Sequence, residues 1–147
     1  MKAFILAAGV SRRLYPHTYN TPKCLIDVGG KPIIHYQLDA LESLGITDVT
    51  MIVGYRREML TEHVTSQFPN MKFNFLTNHH YFETNTAYSV YLGREILSSD
   101  EQVLMNADVV YPKELLEKTD VYFEDVSEFP CLEIDFLEDL ETARKLF

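Results

Sequence analysis

Near the amino terminus, a stretch of small residues and two nearby cations could hold a polyphosphate. The run Leu6-Ala7-Ala8-Gly9-Val10-Ser11-Arg12-Arg13-Leu14 is followed by Pro22-Lys23-Cys24-Leu25. Small side chains after a strand let the main chain approach a ligand closely, and the N–H groups exposed there can cradle phosphate oxygens. Arg13 and Lys23 add the positive charge that a triphosphate needs. The loop contains neither GxxxxGK(S/T) nor GxGxxG, so it is neither a Walker loop nor the dinucleotide fingerprint. On composition alone, a strand-to-loop turn with solvated arginines fits as well.

Three further groups of residues have chemical potential. Asp108 closes the apolar run ending in Asn106-Ala107-Asp108. A carboxylate at a strand's carboxyl end suits a hard cation, which prefers oxygen ligands, and it equally suits capping of the next turn. Asp135 lies just ahead of the last helical pattern and is a candidate N-cap, with Glu138 three residues on in a box-like arrangement. The segment Asn78–Ser89 is polar and aromatic. Asn85 offers both donor and acceptor groups to a ligand, and Ser89 does so more weakly; a helix-capping loop is the structural alternative. Tyr81 and Tyr88 fit either a cation–π pocket for a quaternary ammonium or ordinary packing at a helix entrance. His79 and His80 are adjacent, so their side chains converge poorly on one ion, and they read as surface histidines.

The elements that must position these residues follow from periodicity. Ala3–Ala8 is a continuous apolar run ending at Gly9, the pattern of a strand buried on both faces. Gly9–Leu25 reads as a long polar loop. Lys31-Pro32 opens a helical pattern carrying Ile33, Tyr36, Leu38, Leu41 and Leu44, which Gly45 stops. A strand is predicted over Val49–Val53, a helix over Arg57–Phe68 and a strand over Lys72–Leu76. A third helix is expected over Ala87–Leu97, a fourth strand over Gln102–Asn106 and a short helix over Pro112–Lys118. Val121–Phe123 and Leu132–Ile134 are short strand candidates, and Leu137–Phe147 is a closing helix. Strands spaced by helices imply βαβ units and a largely parallel sheet. Ligands in such sheets bind beyond the carboxyl ends of the strands, which directs attention to the loops after Ala8, Leu76 and Asn106.

Bulk properties narrow the function classes. The chain has 147 residues, 46% hydrophobic and 24% charged, which suits one globular domain. Its net charge of −9 comes without a basic run, so polymeric nucleic acid is a poor partner. Cys24 and Cys131 form neither a CxxC pair nor a zinc spacing and are expected as free thiols of a cytoplasmic protein. The apolar start is too short to span a membrane, and no membrane partner is expected.

The signature through Leu25 resembles that of the nucleotidyltransferase superfamily that makes nucleotide sugars and CDP-alcohols. The similarity continues through Gly29-Gly30-Lys31-Pro32-Ile33-Ile34, Gly45-Ile46-Thr47-Asp48, Val53-Gly54-Tyr55 and Asn78–Tyr81. Tyr81, Thr84-Asn85 and Tyr88-Ser89 are most similar to the phosphocholine cytidylyltransferase-like group. The resemblance implies a Rossmann-like three-layer α/β/α domain with a mainly parallel, mixed sheet. Residues 1–110 would form the nucleotide-binding part, and 111–147 a reduced acceptor part with the closing helix. It further implies magnesium held by Asp108 and Asp135, and CMP transfer from CTP to a small phosphorylated acceptor such as phosphocholine, with pyrophosphate release. A sugar 1-phosphate is the alternative acceptor. Leu6, Ala7, Ala8, Gly9, Ser11, Arg13, Lys23, Asn78 and Asn85 would contact the nucleotide, Arg13 and Lys23 would be catalytic, and Asn85, Tyr88 and Ser89 would meet the acceptor. One departure stands out: only 26 residues separate Asp108 from Asp135, where the family carries a much longer acceptor region. That gap raises two further expectations: a homodimer supplying the missing wall, or a non-catalytic nucleotide-binding module.

Overall fold

The computed structural model describes residues 1–99, 101–117 and 132–147. In chain order the elements are β1 (Lys2–Ala7), 3-10 turns at Arg12–Leu14 and Lys23–Leu25, β2 (Asp27–Val28), β3 (Lys31–Pro32), α1 (Ile33–Ser43), β4 (Asp48–Val53) and α2 (Arg57–Gln67). They continue with β5 (Lys72–Thr77), α3 (Thr86–Leu92), α4 (Arg94–Leu97), β6 (Gln102–Asn106), β7 (Val109–Val110), α5 (Glu114–Glu117), β8 (Leu132–Glu133) and α6 (Leu137–Leu146). The expected Val121–Phe123 strand and Cys131 lie outside the described residues. Among the described residues, no helix is long and apolar enough to cross a membrane.

The central sheet has the order β5-β4-β1-β6, and every pairing in it is parallel. Among the described residues, antiparallel pairing is confined to two small ladders, β2 with β3 and β7 with β8. The continuous apolar run of β1 reflects burial on both faces. Ala3 and Ile5 join Leu38, Leu41, Leu60 and Val64 of α1 and α2 on one side. Phe4 and Ile52 pack with Ile96 and Leu97 of α4 on the other. The result is three layers, and each fully buried Ile or Leu contributes about 1.5–3 kcal/mol. Leu140 and Ala143 of α6 pack against Leu14, Val28 and Ile33, so the closing helix clamps the segment that follows the small-residue loop.

Most expected elements are present, with shifted bounds and two local corrections. Lys31 and Pro32 do not open α1. They pair with Val28 and Asp27, and Pro32 precedes the first helical residue. Gly29 and Gly30, at φ +61° and +92°, make the tight turn between the two strands. Strands of two residues carry no periodicity, so the sequence signal for this hairpin is the Gly29-Gly30 pair alone. The predicted helix over Ala87–Leu97 is instead two helices meeting at Gly93. Gly93 lies against the fully buried Phe4 ring, and a Cβ there would come within 2.1 Å of it. Phe4 is walled in and cannot yield, so Gly93→Ala should cost about 1–3 kcal/mol through overpacking. Urea unfolding of the two proteins checks this; equal midpoints would refute it. The short helix expected over Pro112–Lys118 is observed only as α5.

Candidate active site

A cleft of about 350 Å³ opens at the carboxyl ends of β1 and β6, lined by the loops that follow β1, β5 and β6. Leu6, Ala8 and Gly9 contribute from the first loop, Asn78, Asn85 and Ser89 from the second, and Asp108, Glu133 and Asp135 complete it. A smaller hollow beside it is lined by Ala7, Gly9, Ser11, Lys23, Cys24 and Asp108. Larger open grooves run along α2, but the paired charges converge in this cleft and hollow.

Lys23 occupies the centre. Its side chain is only 8% exposed, and Nζ stands 2.8 Å from an oxygen of Asp108 and 2.8 Å from one of Asp135. Arg13, largely solvent-exposed, approaches the other Asp135 oxygen at 3.5 Å and lies over the Phe136 ring. Arg13 therefore flanks the cleft through Asp135 and does not line it.

Four hydrogen bonds to main-chain carbonyls carry the acids to this place. The Ala107 N–H donates to Leu6 O at 3.0 Å, extending the β1–β6 register to the end of the strand. The fully buried Gln37 of α1 donates from Nε2 to Asn106 O at 2.7 Å and Val109 O at 2.8 Å, holding the turn on both sides of Asp108. The Ile134 N–H donates to Asp108 O at 2.9 Å and so fixes β8 beside that turn. With Ile134 fully buried, the two-residue alternation of an extended chain turns Glu133 and Asp135 to the same side. Carboxylate oxygens of Asp108, Glu133 and Asp135 then lie within 4.8 Å of one another. Glu133 was not singled out from the sequence, although its spacing from Asp135 around an apolar residue was the available signal.

The N-cap expectation for Asp135 is corrected. Asp139 accepts the N–H groups of Asp135 and Phe136 at 3.1 and 2.8 Å, and Glu138 plays no part in that cap. A first-turn carboxylate on free N–H groups is favourable. It leaves the Asp135 carboxylate to Lys23 and Arg13. The hydrogen bond from Lys23 holds the Asp135 carboxyl below its ordinary value of 3.8, and the charges of Lys23 and Arg13 act in the same direction against the cost of burial. A depressed carboxyl contributes stability above its unfolded pKa and loses it as pH falls through the folded one. The urea midpoint is therefore expected to drop below about pH 4 in part through Asp135. Lys23→Met should flatten that acid limb; an unaltered limb would show that the pair does not contribute.

The acid cluster fits a divalent cation. Three carboxylates supply the oxygen donors that magnesium prefers, and Asp108 Oδ1 is buried without a hydrogen-bond partner. A buried unpartnered carboxylate oxygen is costly, and an ion would satisfy it.

The second loop is built around Asn78, which is 1% exposed. Its amide nitrogen donates to Thr84 Oγ1 at 3.0 Å and Ser89 Oγ at 3.3 Å, and its Oδ1 accepts the His80 N–H at 2.9 Å. These bonds shape the loop, and Ser89 is buried by them. Asn85 is exposed, with no capping bond from its side chain to α3. Tyr81 lines the cleft, whereas Tyr88 does not; its ring meets His80 edge-on and neighbours Tyr91. Gly54 packs between Tyr81 and Ala8: a Cβ there would sit 2.7 Å from Ala8 O and 2.7 Å from Tyr81 Cβ. Ser11 holds a left-handed conformation (φ 53°), and its carbonyl accepts the Thr18 hydroxyl at 2.8 Å. Cys24 is a free thiol pushed up to about 12 by burial, so it stays protonated and inert. His79 and His80 are both exposed.

Fold and cleft together define a Rossmann-like α/β domain of the nucleotidyltransferase type, its parallel sheet presenting cations and acids at one carboxyl edge. Residues 2–128 match the family described as nucleotidyl transferase, and the chain belongs to that family. It is 43% identical over 103 residues to the choline-phosphate cytidylyltransferase of Streptococcus pneumoniae, covering 67% of this chain and 42% of that protein. It is 35% identical over 116 residues to the mannose-1-phosphate guanyltransferase of Schizosaccharomyces pombe, covering 76% and 32%. Among solved structures, the CTP:phosphocholine cytidylyltransferase of Streptococcus pneumoniae superposes with a TM-score of 0.66 at 34% identity, covering 85% of this chain and 50% of that one. The inositol-1-phosphate CTP transferase of T. maritima shares the fold with a TM-score of 0.70 at 23% identity, covering 83% and 50%. The chain thus spans less than half the length of these curated relatives and about half that of the solved chains.

Proposed function

We propose that this chain forms the nucleotide-binding part of a magnesium-dependent cytidylyltransferase. It would transfer CMP from CTP to a small phosphorylated acceptor such as phosphocholine and release pyrophosphate. The observation that carries this reading is Lys23, nearly buried and shared between Asp108 and Asp135 at the carboxyl edge of the sheet. The cytidylyl choice is supported by similarity to choline-phosphate cytidylyltransferase; a sugar 1-phosphate acceptor is supported by similarity to mannose-1-phosphate guanyltransferase.

In this reading the acceptor phosphate attacks the α-phosphorus in line and pyrophosphate leaves. The protein's work is positioning and charge neutralisation. Main-chain N–H groups of Ala8 to Ser11 approach phosphate oxygens. Lys23 moves its charge from the carboxylates to the α-phosphate or the acceptor phosphate, and Arg13 holds the β- and γ-phosphates. Asn85 reads the base edge or an acceptor oxygen, with Asn78 and Ser89 shaping its loop. Asp108, Asp135 and Glu133 would hold magnesium, which when bound neutralises charge developing on the phosphate oxygens.

The short interval between Asp108 and Asp135 favours a second reading, a nucleotide-binding module without turnover. It is also the ground for a homodimer in which a second copy completes the acceptor wall. Incubation with each nucleoside triphosphate, magnesium and a panel of phosphocholine and sugar 1-phosphates, with pyrophosphate measured, separates the readings. Release with CTP and phosphocholine supports the first. Magnesium-dependent CTP binding without release under any pairing supports the second, and absence of any nucleotide binding removes both.

A further inference from the structure

Outside the cleft, two imidazoles from different helices face each other. His35 of α1 and His63 of α2 stand with Nε2 atoms 2.8 Å apart and ring centroids 5.1 Å apart. Neither ring lines the cleft. We propose that His35 and His63 form a two-imidazole site for a borderline transition cation such as Zn²⁺, Ni²⁺ or Cu²⁺, clipping α1 to α2.

The geometry requires little change. Two nitrogens bound at about 2.0–2.1 Å to a tetrahedral ion lie roughly 3.3 Å apart, with the ring centroids roughly 5.2 Å apart. The centroids already have that separation, so the rings need only swivel for both Nε2 lone pairs to converge, and the helices stay in place. Among the described residues neither Nδ1 has a protein partner, so nothing fixes either tautomer. Both rings can carry their proton on Nδ1 and present Nε2 to a metal. The cost is their mutual hydrogen bond.

The surroundings allow entry and direct the choice of ion. His63 borders an open groove, and Phe68 meets His35 edge-on and backs the site. Imidazole suits zinc, nickel and copper, whereas magnesium prefers the oxygen ligands of the acid cluster. The protein supplies two ligands, and water completes the coordination sphere.

The test uses the untagged full chain in excess Mg²⁺, added to compete for the acid cluster. Calorimetric titration with Zn²⁺ should show one equivalent bound. His35→Gln and His63→Gln should each weaken it by at least about tenfold, since even outer-shell changes cost 10–100-fold. Asp108→Asn should leave it unchanged. Because a helix-facing substitution can perturb folding, a chain that keeps His35 and His63 provides a second readout: with His17, His79 and His80 each replaced by Gln, the Cu²⁺ electron paramagnetic resonance spectrum should still show splitting from two coordinated nitrogens. Zn²⁺ heats insensitive to both histidine substitutions, or an all-oxygen Cu²⁺ spectrum, would overturn the proposal.

Discussion

Lys23→Met is expected to lower pyrophosphate release by about 10²–10³, the scale for losing one preorganised charge in a shielded site. Methionine keeps an unbranched stem of similar reach, so the packing beside Cys24 changes little while the ammonium disappears. The effect should be large because this charge is so little exposed to water: the side chain is 8% exposed and its two partners are carboxylates. A solvated lysine would be screened and contribute little. The measurement is steady-state turnover with the best substrate pair, alongside urea unfolding to confirm a folded variant. A folded Lys23→Met protein with turnover within about twofold of wild type would contradict the role assigned to Lys23.

Asp108→Asn is expected to have an effect of the same order on turnover, about 10²–10³, and to weaken divalent binding directly. Two cations, Arg13 and Lys23, face three acids, Asp108, Glu133 and Asp135, which leaves one net negative charge to attract an ion. Neutralising Asp108 brings that sum to zero and leaves a single uncharged amide oxygen where the carboxylate offers two, one of them, Oδ1, without a partner in the protein. Glu133→Gln makes the same change in charge at an exposed residue, so solvent screening should make its effect smaller. Mn²⁺ binding followed by electron paramagnetic resonance, on the nucleotide-free protein and with CTP, gives a readout independent of turnover. Undiminished Mn²⁺ binding in Asp108→Asn would place the ion elsewhere.

The strands of the central sheet and most of the charged groups were legible in the sequence because their signals are local. A strand buried on both faces must be apolar throughout, which made β1 readable from Ala3 onward. A loop whose backbone approaches a ligand needs small residues, and this marked Ala7 to Gly9. Arg13, Lys23 and Asp108 stand beside such signals; Asp135 came from family resemblance. What the sequence could not supply is contact between distant residues. Lys23 and Asp135 are separated by 112 positions, and their meeting depends on the Asp108 carbonyl receiving Ile134 and on Gln37 holding the Asp108 turn. The entry of Glu133 into the acid cluster, the commitment of Asn78 to its own loop, the break at Gly93 under Phe4 and the facing histidines share that character. Residue types and periodicity determined which elements form and which groups carry charge. Tertiary packing decided which of those groups meet, because a side chain's partners are set by the register of strands and helices brought together from far along the chain.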